Sequence, residues 1–157
     1  MLIKPLKKNS EFVAFVSDIN LKDKLNKSEI DTLQKSIDKF GVLVFRNQSL
    51  TDDEQVNFSE YFGNIEHSGK KSNITKDSDR RLSTKLADVS NIDKKSNVFK
   101  KNDPRRIFNL GNRLWHSDSS FKKVPAKYSL LSSKTIVKKG GNTEFSDMRL
   151  ALSLIHI

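Results

Sequence analysis

Trp115-His116-Ser117-Asp118-Ser119-Ser120-Phe121 constrains this chain more than any other stretch. Residues two apart in an extended strand point to the same face. The spacing therefore predicts a strand that sets the His116 imidazole beside the Asp118 carboxylate. No lysine or arginine lies within the stretch to occupy that carboxylate. Such a pair is half of a divalent-metal site, and a third protein ligand would complete the two-histidine, one-carboxylate set that holds non-haem Fe(II) with positions open. A bare His-x-Asp triplet is also what a polar turn near a strand end looks like, so the triplet alone decides nothing.

Length and composition narrow the setting. With 157 residues there is enough chain for one domain with a real core. Hydrophobic residues at 35% and charged residues at 31% describe a polar globular protein. No apolar run approaches the roughly 20 residues a membrane helix needs, and Lys4 and Pro5 interrupt the start before a signal-peptide core could form. Without cysteine there is neither a disulfide framework nor a thiolate metal site. Together these features favour the cytoplasm and no membrane partner; self-association into a homo-oligomer is left open.

The formal charge of +10 is concentrated: His67 to Arg113 carries 13 Lys/Arg against 5 Asp and no Glu. A basic stripe can neutralise nucleic-acid phosphates, steer a small anionic substrate, or simply be a solvated loop surface. Neither a ribonucleoprotein-type aromatic motif nor a zinc-finger spacing is present, so nucleic acid is the weakest of the three readings.

Along the chain, residues 11–16 read as a short strand. Ser28-x-x-Asp31 resembles a helix start, with Asp in place of the usual Glu or Gln. Ile30, Leu33, Ile37 and Phe40 then mark one face of an amphipathic helix that Gly41 would terminate. Val42-Leu43-Val44-Phe45 reads as a strand buried on both faces. Thr51-x-x-Glu54 is a capping box, with Asp52, Asp53 and Glu54 against the positive end of the helix dipole. Phe58, Tyr61 and Phe62 form that helix's core face, and Gly63 ends it. Residues 66–81 and 97–106 read as loops, 86–92 as a strand, the chain from Phe108 as a strand leading into the His116/Asp118 stretch, and the remainder as strands at 128–137 and 143–145 around a Gly140-Gly141 turn. Those glycines lack the following Lys-Ser/Thr of a phosphate loop.

The residues after the triplet add to it. Tyr128-Ser129-x-Leu131 and Gly140-Gly141-Asn142-Thr143-Glu144-Phe145-Ser146-Asp147-Met148-Arg149 follow, and Val42-Leu43-Val44-Phe45-Arg46-x-Gln48-x-Leu50 and Phe62-Gly63 precede. The series resembles the taurine dioxygenase / 2,4-dichlorophenoxyacetate dioxygenase family of Fe(II)- and 2-oxoglutarate-dependent oxygenases. The Ser-Ser-Phe and Thr-Glu-Phe-x-Asp-Met-Arg spellings point to its herbicide-degrading branch. The resemblance implies an α+β, double-stranded β-helix (jelly-roll) fold with N-terminal helices packed on the sheet. It implies Fe(II) held by His116 and Asp118, with 2-oxoglutarate and O2 as co-substrates and hydroxylation of a small anionic organic substrate. Thr143 matches the position whose hydroxyl meets the distal carboxylate of 2-oxoglutarate. Asn112 falls where related enzymes place an amide near the substrate, although a turn residue after Gly111 is as good a reading. Lys71 falls where the branch has a lysine proposed to meet the substrate carboxylate. No catalytic residue beyond the metal ligands is implied. Trp115 reads as a core anchor, and Asp147 and Arg149 as structural.

Family members run to nearly twice this length, with the second iron-binding histidine and a 2-oxoglutarate-binding arginine in their C-terminal half. His156 falls too early to be that ligand. The expectation is therefore an N-terminal part of a single domain spanning 1–157, with 152–157 a candidate non-native tail and the piece alone inactive. Two alternatives are a non-catalytic basic binding protein and a half-domain that needs a separate C-terminal chain.

Overall fold

The computed structural model describes residues 1–67 and 74–156, which fold as α+β. The chain divides into two compact units, one made of 1–50 with 132–157 and the other of 51–131.

The first unit is built on a three-stranded sheet. Strand β1 (Leu2–Pro5) runs antiparallel to β2 (Val13–Ser17), and β2 pairs in parallel with β3 (Val42–Phe45), with Val13 opposite Val42. A parallel pair needs a long crossover, supplied here by helix α1 (Lys27–Phe40). Alternation along β2 turns Ala14 and Val16 inward, where Leu21, Leu25, Leu33 and Phe40 are also buried. Burying a leucine such as Leu33 stabilises the fold by about 1.5–3 kcal/mol. The side chain of Gln48 staples the connection after β2: its Oε1 accepts from the Leu21 amide at 3.0 Å, and its Nε2 donates to the Ile19 and Arg46 carbonyls.

The cap of helix α1 lies two residues before the expected one. Asn26 Oδ1 accepts from the Glu29 amide at 3.0 Å and Glu29 Oε2 accepts from the Asn26 amide at 2.9 Å. The box is thus Asn26-x-x-Glu29, because Glu reaches back to the cap backbone where Asp31 is too short to do so. Gly41 closes the helix as expected, at φ +71°, a conformation other residues rarely adopt. Strand β3 is only half-buried, not buried on both faces, since it lies at the edge of the sheet.

The second unit opens with helix α2 (Asp52–Glu60), whose Thr51/Glu54 capping box is formed at 3.2 and 2.7 Å. Val56 and Phe58 are buried. Phe58 meets Phe62 edge-to-face at 5.3 Å, and Phe62 meets Tyr128 at 5.9 Å. Gly63 lies past the helix at φ +134°. The strand expected at 86–92 is only the isolated bridge Ile92–Val98, around a turn in which Asp93 Oδ1 accepts from the Lys95 and Asn97 amides.

Part of the expected 97–106 loop is helical: α3 runs Pro104–Asn109, with Pro104 at its first position, where its missing N–H costs nothing. Asp103 caps α3 and binds the Arg105 guanidinium at 3.0 and 2.8 Å, which holds the Asp103 carboxyl down at about 2. A lowered carboxylate stabilises the fold above its unfolded value, here 3.8, and that stabilisation fades as pH falls through about 2. Amide protection factors across α3 are expected to hold down to pH 3.8 and decline from there to about 2. Asp103→Asn should remove that step, which hydrogen exchange at several pH values checks.

The strands expected at 128–137 and 143–145 do not form. A strand needs a neighbour for its backbone groups, and among the described residues these segments have none. Leu131, Ile136 and Phe145 are exposed. The double glycine does turn the chain, with Gly140 at φ +78° and Gly141 at φ +72°. A short helix α4 (Met148–Ser153) follows, capped by Asp147. Arg149 reaches back from it: its guanidinium donates to the Lys39 carbonyl at 2.6 Å and to the Asp38 and Glu11 carbonyls, while Asp147 grips it at 2.9 Å. A cation on the last carbonyls of α1 also complements that helix's dipole.

Candidate metal centre

Helix α3 passes into a 3-10 turn at Leu110–Arg113, and the chain then extends through Leu114, Trp115 and His116 before turning at Asp118. The expected strand is absent: no partner strand lies alongside among the described residues, and Ser119 bends the chain at φ +55°. His116 and Asp118 nonetheless converge, with Nε2 and Oδ1 3.2 Å apart. Both side chains are about half exposed, at 46% and 59%.

The other ring nitrogen settles which atoms face each other. His116 Nδ1 lies 2.7 Å from the Leu114 carbonyl oxygen, which can only accept, so Nδ1 carries hydrogen and donates. In the neutral ring Nε2 then presents a lone pair towards a carboxylate oxygen. Two electron-rich atoms held together call for a proton or a cation between them. Ligands each about 2.1 Å from a divalent ion and at right angles stand about 3.0 Å apart. The observed separation fits a pair of adjacent ligands, and the Nδ1–H···O=C bond is the outer contact that metal-bound histidines usually make. Among the described residues no group of three His, Cys, Asp or Glu is close enough to hold a metal ion.

The other expected site residues are placed as follows. Asn112 is exposed on the 3-10 turn leading to His116. Thr143 is exposed in the irregular stretch after Gly141 and belongs to the first unit. Lys71 lies outside the described residues. Trp115 is 69% exposed, contrary to its reading as a core anchor, and Leu114 and Phe121 are exposed with it. Among the described residues, no helix is long and apolar enough to cross a membrane.

One contact escaped sequence reading. Glu66 Oε1 accepts from Ser119 Oγ at 2.9 Å and from the Lys122 ammonium. Lys122 and then Ser119 hold the Glu66 carboxyl below its ordinary value.

Three known proteins are similar to this chain. The alpha-ketoglutarate-dependent 2,4-dichlorophenoxyacetate dioxygenase of Cupriavidus pinatubonensis is 39% identical over 140 residues, 89% of this chain and 48% of that enzyme. The (S)-phenoxypropionate/alpha-ketoglutarate-dioxygenase of Sphingobium herbicidovorans is 31% identical over 91% of this chain and 44% of its own length. The chain thus spans about half the length of these curated relatives. The crystal structure of AAD-2 in complex with Mn(II) and N-oxalylglycine superposes with a TM-score of 0.84 at 40% identity, covering 98% of this chain and 50% of that one. The small sheet with its helices is therefore that protein's fold over almost every residue here. The family model "Taurine catabolism dioxygenase TauD, TfdA family" matches residues 2–156. With a match of that extent around a His-x-Asp pair already at ligand spacing, the chain belongs to the TauD, TfdA family of dioxygenases.

Proposed function

We propose that the chain supplies the N-terminal part of one Fe(II)- and 2-oxoglutarate-dependent dioxygenase domain, a double-stranded β-helix completed by residues outside these 157. The whole would hydroxylate a small organic acid and release succinate and carbon dioxide. The observation that carries the reading is the 3.2 Å convergence of His116 Nε2 on Asp118 Oδ1, with Nδ1 tied to Leu114.

His116 and Asp118 hold the metal in this reading, and the Leu114 carbonyl keeps the ring in the tautomer that leaves Nε2 to bind. When bound, iron with 2-oxoglutarate and O2 supplies the oxidising chemistry; the protein positions the reacting carbon and excludes side reactions. Thr143 would donate its hydroxyl to the distal carboxylate of 2-oxoglutarate. N-oxalylglycine, bound by AAD-2, keeps both carboxyl groups of 2-oxoglutarate with an NH for a methylene, which supports that co-substrate. The excess of Lys and Arg between His67 and Arg113 supports an anionic substrate of the phenoxyalkanoate kind that the relatives' names describe. Lys71 and Asn112 are the proposed substrate contacts. Exposed Trp115 and Phe121 support a domain that continues over them.

A chimaera in which this chain replaces the matching part of the Cupriavidus enzyme tests the proposal. It should make succinate from 2-oxoglutarate when iron, oxygen and a phenoxyalkanoate are present, whereas the 157-residue chain alone makes none. Thr143→Val should raise the 2-oxoglutarate requirement roughly ten- to hundredfold, since a lost hydrogen bond to a charged group costs about 1.5–3 kcal/mol. A cooperatively melting chimaera without succinate production would overturn the reading.

A further inference from the structure

We infer that Glu66 is a positioning residue for the metal site, clamping the turn that carries Asp118. The inference rests on His116 and Asp118 being metal ligands, and goes beyond that reading to the residue that holds one of them in place.

Asp118 is restrained from its N-terminal side by the His116 bond to Leu114. On its C-terminal side the chain turns sharply. Ser119 is at φ +55°, the Lys122 amide donates to the Ser119 carbonyl at 3.0 Å, and Ser120 Oγ donates to the Ser117 carbonyl at 3.3 Å. A left-handed serine persists only where its surroundings hold it. The turn's own hydrogen bonds close it, but they do not attach it to the rest of the unit. Glu66 makes that attachment, taking the Ser119 hydroxyl and the Lys122 ammonium on one carboxylate oxygen. The two donors flank the turn, so a single carboxylate fixes both its first bend and its exit. Glu66, at 32% side-chain exposure, and Lys122, at 33%, are shielded enough for the pair to be less screened than an open surface ion pair. Ligands must be held within roughly 0.5 Å for a site to work, and Ser119 is covalently next to Asp118. Loosening Glu66 therefore lets the Asp118 carboxylate swing.

The test uses the 157-residue chain with Mn(II) as probe, comparing wild type, Glu66→Ala, Glu66→Gln and Ser119→Ala. In the metal-free chain, Glu66→Ala should speed amide exchange at residues 117–122 about tenfold and leave α1 and the sheet unchanged. Glu66→Gln, which still offers an oxygen to Ser119, should recover most of the protection, and Ser119→Ala should lose part of it. The Mn(II) concentration that half-broadens the His116 and Asp118 resonances should rise roughly tenfold in Glu66→Ala, the low end for an outer contact to a metal site. Unchanged exchange at 117–122, or exchange raised equally across the chain, would overturn the clamp. If Mn(II) broadens neither residue in the wild-type chain, the same titration in the chimaera with the Cupriavidus enzyme, where the domain is whole, decides the metal reading, while the exchange arm decides whether Glu66 holds the turn.

Discussion

Mn(II) added to the Asp118→Ala chain should leave the His116 resonances sharp at concentrations that broaden them in the wild type, and His116→Ala should do the same for Asp118. A lone ligand keeps neither the affinity nor the bite of the 3.2 Å pair. Removing an outer contact costs roughly 10–100-fold in affinity or activity, and loss of a ligand should cost more. In the chimaera with the Cupriavidus enzyme either change should end succinate formation. Asp118→Glu is the sharper probe. It keeps the charge but moves the oxygens by one methylene, so metal should still bind while turnover falls. Wild-type turnover in both alanine variants would remove these residues from the metal site.

The second large effect is on the fold. Arg149→Met should lower the melting midpoint of the chain by about 5 °C and speed amide exchange at the C-terminal turn of α1. The change strips three carbonyls, those of Glu11, Asp38 and Lys39, of one shared cation. It also leaves Asp147, only 10% exposed, without its partner. Arg149→Lys should recover little, since an ammonium cannot span three acceptors and a carboxylate as the planar guanidinium does. Because Asp147 is held below its ordinary carboxylate value chiefly by its hydrogen bond from Arg149, the clasp should persist at neutral pH and weaken in strong acid. A melt that does not move with Arg149→Met would show that the guanidinium only decorates the surface.

Features of short sequence range were the legible ones. The Thr51/Glu54 box, the Gly41 stop and the helix between Leu33 and Phe40 are each decided within a few residues of chain. The His116–Asp118 pair was legible for the same reason, though a turn brings the two together where a strand was expected. The cap of α1 was expected at Ser28 because the reach of the Glu29 carboxylate back to Asn26 was not weighed. Residues 128–145 have the composition of strands, but β-branched residues favour a strand only when another lies beside it. Pro104 was read as a loop marker although its place directly after Asp103 is a helix start. What could not be read was contact across long separations: Glu66 to Ser119 spans 53 residues, and Arg149 to Glu11 spans 138.

The Arg149 clasp also has a bearing on biosynthesis. The first fifty residues leave the ribosome with β1, β2, α1 and β3 already encoded, but the side chain that ties Glu11 to the end of α1 is not yet made. Translation proceeds at about 5–20 residues per second, so the roughly 100 residues up to Arg149 take on the order of 5–20 s. Throughout that interval the Asp38 and Lys39 carbonyls at the end of α1 stand without the cation that later joins them to the Glu11 carbonyl. Synthesis that pauses between Leu50 and Arg149 should therefore lengthen the time the nascent chain depends on chaperones.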